Sequence, residues 1–467
     1  MNKLFIFFYI IVFSFSNIWA MENPFLKKYN TEFEIPPFSK IDESDFMPAF
    51  KMGIEAHNRE IDSIIKNSED PSFENVIIEL ERSGSLLDRV GAVFFNLSGS
   101  TSNEEIQNIE KDISPILSQH YDSISLNPKI FKKIKYLWDN IDNLNLSIEE
   151  RKILEEKYKN FIRNGALLEG DDKEKYSSIN QEISKLSVEF SQNLLAETNN
   201  FEIILNENDL DGLPDDIIAL AKEEADKKYK ETKDSIYKDK YIFTPHRSSL
   251  YPFLTYSKRR DLREKLYKGY IMRGDNNNEF DNKEITAKIS SLRVERANLL
   301  NFETHAHYVL DNTMAKTPEA VYGLLDQLWQ PALSRASKEL EELQSLVNKE
   351  GGNFKIASWD WWYYSEKLRK EKYDLNDEEL KEFFTLDNTI DGIFKTANKL
   401  FGLSFSERFD IELYHEDARV WEVKDKDGSH LGIYIGDYYT RSSKRGGAWM
   451  STFKDQSNFD GRERPIV

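Results

Sequence analysis

The chain has 467 residues, 39% of them hydrophobic, with 30 Phe, 22 Tyr and 8 Trp; this supplies a large core and excludes a disordered or low-complexity chain. A net charge of −19, from 82 acidic against 63 basic residues, sets the surface against phosphate backbones and argues against nucleic acid as a partner. With no cysteine, disulfides, thiolate metal sites and cysteine nucleophiles are excluded.

Taken in order, the chain opens with Lys3 and the apolar run Leu4 to Phe15, followed by Ile18-Trp19-Ala20. The run is shorter than the roughly 20 residues of a membrane span. Residues 1–20 therefore read as a secretory signal peptide, which places the mature protein in the periplasm or outside the cell. An uncleaved anchor is one alternative. A start at Met21, leaving the protein cytoplasmic, is another. No later segment is apolar enough to span a bilayer.

Pro36-Pro37 enforces extended backbone, and a helical pattern starts at Ser44 or Asp45. Helical spacing continues from Phe73 through Phe94. Ser102 to Glu105 and Ser147 to Glu150 read as capping boxes, each opening a helix. Asp171 to Leu195 is a further amphipathic helix, and Leu205 to Gly212 a polar loop. Tyr241 to Thr244 looks like an isolated strand or extended crossing, and Ser249 to Arg273 resumes helix. Helices follow over Lys283–Leu300, from Thr317-Pro318 to about Val347, over Trp361–Lys372 after a Trp359-Asp360 cap, and over Ile390–Leu400. A third capping box is expected at Asn376 to Glu379. From Leu403 the period becomes β-like. Ala418 to Lys424 alternates, Asp425-Lys426-Asp427-Gly428 is a hairpin turn, and Ser429 to Tyr439 returns as the partner strand. The whole is mostly α with one small antiparallel sheet near the C-terminal end.

No phosphate-binding or dinucleotide-binding glycine pattern and no G-x-S-x-G elbow occurs. None of the seven histidines is followed by E-x-x-H; His415-Glu416 fails at Asp417-Ala418-Arg419. His305-x-His307 reads as ordinary polar residues near a helix start, with a metal bridged from a strand as the alternative. The aromatic run Trp359, Trp361, Trp362, Tyr363, Tyr364 reads as core for at least half its members, the alternative being a channel lining. Arg441, Lys444 and Arg445 read as solvating a turn, with a bound carboxylate as the other reading. Gly446-Gly447 before Ala448-Trp449-Met450 removes side chains where a strand begins. That suits close approach by another backbone, including a bound peptide, and equally a plain bulge.

These residues carry a family likeness. NPFL and PPFSKI, SFENVIIELERSGSLLDRVGAVFFNL from Ser72, FSQNLLAETNNF from Phe190 and LYKGYIMRGDNNN from Leu266 occur in order. They are followed by WDWWYYSEKLRKEKYDL from Trp359, HEDARVWEV with its hairpin, and GDYYTRSSKRGGAWM. In these segments the chain resembles the thimet oligopeptidase family of zinc metallopeptidases, most closely its bacterial peptidyl-dipeptidase branch. The resemblance implies a two-lobed, mostly helical fold with a channel between the lobes. It implies hydrolysis of short peptides, with release of C-terminal dipeptides, by a zinc-bound water polarised by the glutamate of an H-E-x-x-H helix.

In the family that helix follows the KRGGAWM-like stretch by a few tens of residues. Here the chain reaches Arg464-Pro465-Ile466-Val467 without it, so the zinc ligands are expected beyond Val467 and no catalytic or metal-binding residue carries over. What carries over is Gly446–Ser451 as an edge strand pairing with substrate through Gly447, Ala448 and Trp449. The domain expectation is a signal peptide at 1–20, an N-terminal helical region at 21–245, and the N-terminal part of an incomplete catalytic domain at 246–467. Such a fragment is expected to be monomeric, inactive as written and poorly soluble, with bare sheet edges. The alternative is a non-catalytic peptide-binding or interaction protein that keeps the channel wall.

Overall fold

A computed structural model describes residues 23–374 and 377–467. The expected signal segment and the expected cap at Asn376 lie outside the described residues. Cα packing divides the chain into two compact units, one of residues up to 188 together with 391–467, the other of residues 189–390. The boundary expected at residue 245 is one of sequence regions and falls inside the second unit.

The first unit begins with Asn23, whose side chain accepts from the Phe25 amide (3.0 Å) and donates to the Asp45 carbonyl (2.8 Å). The first long helix is α1 (Glu43–Lys66), capped by Asp42 in a reciprocal box with Asp45. After a π-helical turn at Phe73–Ile78 come α2 (Ser85–Ser100), α3 (Glu104–Ser125), α4 (Pro128–Asp139), α5 (Ile148–Arg163) and α6 (Asp171–Asn200). The Ser147 box forms as expected, with Ser147 N–H donating to Glu150 Oε2 at 2.8 Å and Glu150 N–H to Ser147 Oγ at 3.2 Å. The Ser102 box does not. Asn103 caps α3 by accepting from Ile106 N–H (2.9 Å), while the Ser102 N–H is used by the Ser443 carbonyl (2.9 Å).

The C-terminal part of this unit is a three-stranded antiparallel sheet, ordered β3 (Ser404–Glu407), β4 (Arg419–Lys424), β5 (His430–Gly436). The Asp425–Gly428 turn closes the β4–β5 hairpin, with Gly428 in the left-handed region (φ +82°). The outer edge of β5 is not bare, contrary to expectation. Residues 465–467 run parallel to it, with Ile433 N–H donating to Pro465 O (2.9 Å) and Ile435 N–H to Val467 O (2.7 Å). Ile466 is thereby buried with Val420 and Ile433 among Phe46, Phe50, Val90 and Phe94. Phe94 meets Phe46 and Phe50 edge-on, at centroid distances of 5.1 and 5.3 Å. Each fully buried aromatic ring contributes roughly 1.5–3 kcal/mol of transfer free energy. A second core joins Ile61, Ile64, Phe73 and Ile77 to Ile130, Ile134, Leu137 and Leu154.

The second unit holds a small sheet that the sequence does not announce. β1 (Ile203–Leu205) pairs antiparallel with β2 (Tyr241–Phe243), so the extended segment at 241 is not isolated. Residues of α7 (Asp215–Thr232), α8 (Arg247–Tyr256) and α9 (Arg260–Ile271) share its core, and α10 (Lys283–Leu299) follows. The helix expected over 249–273 breaks at 257–259. There the Arg263 guanidinium captures the Ser257 carbonyl (2.7 Å) that would have continued it. Next come α11 (Pro318–Lys349), capped by Thr317 with Pro318 in the first position, and α12 (Trp361–Tyr373). Asp360 does not act as a side-chain cap; its fully buried carboxylate is held by Arg263 (2.8 Å) and Arg260 (2.8 Å). Of the aromatic run, Tyr364 is buried and Trp362 packs on the core, while Trp361 is 36% exposed. The last helix, α13 (Leu386–Phe401), starts in the second unit and runs into residues of the first; it ends at Gly402, whose positive φ (+78°) reverses the chain.

Candidate peptide-aligning segment

The segment after β5 is built around Asp437. Burial opposes ionisation of its carboxyl, but hydrogen bonds from Arg441 (2.8 and 2.7 Å) and the nearby Lys444 ammonium (3.0 Å) outweigh that and hold it below the usual carboxylate range. Sequence reading assigned Arg441 and Lys444 to a solvated turn. They do hold a carboxylate, but it is the chain's own. The signal was present as Asp437 and Arg441 four residues apart.

Arg441 then anchors the segment to the end of α2. Its Nε donates to the Ser100 carbonyl (2.9 Å), one of the acceptors left free where a helix stops. Arg445 N–H donates to the Gly99 carbonyl (3.1 Å). On the far side, Asn96 Nδ2 donates to the Thr452 carbonyl (2.9 Å), the Ser451 hydroxyl donates to Asn96 Oδ1, and Phe453 N–H reaches Ile466 O (2.8 Å).

Between these anchors, residues 446–450 are exposed. They do not form the expected strand: among the described residues no ladder neighbour lies beside them, and Gly447 sits at φ +118°, where a side chain is disfavoured. Among the described residues, no main-chain N–H of 446–452 donates to another main-chain carbonyl. Gly447, Ala448 and Trp449 therefore lie together in one exposed stretch, fixed at both ends. The Arg445 guanidinium covers one face of the Trp449 ring at 4.5 Å, leaving the ring 36% exposed.

The residues present do not make a zinc site. Among the described residues no three His, Asp or Glu side chains converge in a way that would hold a metal. His305 and His307 lie in the first turn of a short helix, His305–Leu310, where Thr304 Oγ1 meets His307 Nδ1 at 2.9 Å. Another histidine pair, unremarked in the sequence because its members are 63 residues apart, is His57 with His120. Both are buried, and His120 Nε2 meets His57 Nδ1 at 3.0 Å, a hydrogen-bond distance. The tautomers follow from the partners. The Ser83 hydroxyl donates to Leu80 O (2.8 Å), so it accepts from His57 Nε2–H (3.2 Å), and His57 Nδ1 accepts from His120. Burial lowers both pKa values, that of His120 to about 4.

Residues 253–467 match the model of peptidase family M3. Over 447 residues the chain is 35% identical to the dipeptidyl carboxypeptidase of Escherichia coli, covering 95% of this chain and 64% of that protein. It is 32% identical to the Salmonella typhimurium protein of the same name, of which it covers 65%, and 31% identical to oligopeptidase A of Haemophilus influenzae, of which it covers 62%. The chain thus spans a little under two thirds of the length of these relatives. The family likeness of the sequence, the helical architecture and these matches agree: the chain is similar to peptidase family M3 over residues 253–467, and to dipeptidyl carboxypeptidases and oligopeptidase A over nearly its whole length.

Proposed function

We propose that this chain is part of a zinc oligopeptidase of the peptidyl-dipeptidase type, acting on short peptides in the periplasm. Its own contribution is to align the substrate. The observation that carries this reading is the exposed, unpaired main chain of Gly447–Trp449, clamped between Arg441 and Asn96. An extended peptide can add to such a segment through N–H and C=O groups, without regard to most side chains. The two glycines leave room for that backbone, and the Trp449 ring offers a flat apolar surface beside it. The name of the Escherichia coli relative, dipeptidyl carboxypeptidase, supports release of dipeptides from carboxyl ends as the mode of action.

Zinc belongs to the reading as a family expectation. No H-E-x-x-H occurs in the sequence, so the ligands and the catalytic glutamate come from residues other than these 467. The test is to incubate the purified chain with zinc and a tetrapeptide bearing a free C-terminus. The expected outcome is binding without release of a dipeptide. Zinc-dependent hydrolysis that a chelator abolishes would overturn this reading. Fractionation of cells expressing the full gene tests export, with recovery in the periplasm as the expected result.

A further inference from the structure

The helix α11 has one apolar face and two fates. Near its C-terminal end Leu343, Leu346 and Val347 are buried against Tyr364, with Phe354 and Ile356 alongside. The same face continues toward the N-terminus through Leu333, Trp329, Leu328, Leu325, Leu324 and Tyr322, at the three- and four-residue spacing of one helical stripe. There it is bare: Trp329 and Leu324 are each 60% exposed, and residues 322–338 include no buried side chain. Seventeen consecutive exposed residues make about 25 Å of helix. A helix of that length gains little stability in water by itself, and natural proteins rarely leave an apolar stripe of this extent uncovered.

The chemistry of the helix narrows what covers it. The helix carries Glu319, Asp326, Glu339, Glu341 and Glu342 against Arg335, Lys338 and Lys349, with Arg335 paired to Glu339, so it lacks the cation-rich polar face by which an interfacial helix holds anionic lipid. The stripe continues a seam already formed with another helix, and therefore suits further packed polypeptide. It lies inside residues 253–467, where the family model matches. The relatives are longer, the chain covering only 62–65% of them.

We propose that the bare stripe of α11 seats an apolar face of the polypeptide that makes up the remaining third of the relatives' length. This rests on the peptidase reading above and gives that reading a physical junction between the substrate-aligning part and the part that brings the metal ligands.

The test uses the absence of cysteine. Leu328→Cys places a thiol on the stripe, and Ser334→Cys places one on the polar side of the same helix as reference. Maleimide labelling of each site, read by peptide mapping, is compared in two proteins. One is the 467-residue chain; the other is the same chain joined to the part of the Escherichia coli relative that it does not match. The expected result is fast labelling at both sites in the first protein, and at least about tenfold slower labelling at 328 alone in the second. Unchanged labelling at 328 overturns the proposal. Slow labelling at 328 in the 467-residue chain, with a dimer in solution, overturns it in favour of a second copy as occupant. Tetrapeptide hydrolysis by the joined chain separates the two readings. Protection without hydrolysis keeps the docking surface and defeats the peptidase reading; hydrolysis without protection does the reverse.

Discussion

Phe94 on α2 and Trp329 on α11 are both aromatic residues on long amphipathic helices, and their surroundings are opposite. Phe94 is fully buried among Phe46, Phe50 and the sheet that ends in Ile466; Trp329 is 60% exposed. The two helices show similar apolar periodicity. Periodicity therefore reports which face a helix will bury, not whether the partner is at hand.

The comparison is tested most strongly by truncation. Phe94→Ala is expected to lower unfolding free energy by about 3–5 kcal/mol, because it opens a cavity in a packed core. Trp329→Ala is expected to stay within about 0.5 kcal/mol in the 467-residue chain. Denaturant titration of both variants decides. Equal losses would mean that the α11 stripe is covered in solution.

A smaller effect sharpens the description of the first unit. The folded pKa of His120 is depressed by burial to about 4, against an ordinary value near 6.5. The folded state thus binds fewer protons than the unfolded state in that window. The contribution to stability is complete above pH 6.5 and is lost as pH falls toward 4, by on the order of 2 kcal/mol. Glu60 favours the His57 cation but is outweighed by burial, while Asp88, raised by burial and by Glu60, contributes with the opposite sign. The informative quantity is therefore the difference between wild type and His120→Gln. The variant should show a flatter fall in stability between pH 6.5 and 4. Parallel curves would remove the histidine pair from the account.

Much of the fold was legible in the sequence where a local signal has a local cause. The Ser147 box, the Thr317-Pro318 start and the Asp425–Gly428 turn each depend on residues within four positions, and each forms. The misses have longer causes. Ser102 and Asn103 are both competent caps, and Ser443, more than 300 residues away, takes the Ser102 amide. β1 is three residues long, too short for a period, and its partner lies beyond an intervening helix. Gly446–Ser451 is expected as an edge strand from the family likeness, and its glycines and alanine give no strand propensity of their own to hold it extended. Gly447, Ala448 and Trp449, the residues named from the sequence, lie in one exposed stretch. The anchors of that stretch are not legible in the sequence: Asn96 and Ser100 lie on a helix far away in the chain, and Arg441 pairs with Asp437 rather than with solvent.

The claim at the centre of this account is that residues 446–450 align an extended peptide. Calorimetric titration of a C-terminally free tetrapeptide into wild type and Gly447→Val tests it most directly. At φ +118° the valine side chain strains the backbone and intrudes where the peptide would lie. Measurable affinity is expected for wild type and at least about tenfold weaker binding for the variant, a loss of roughly 1.4 kcal/mol. Equal affinity in the two proteins would contradict it.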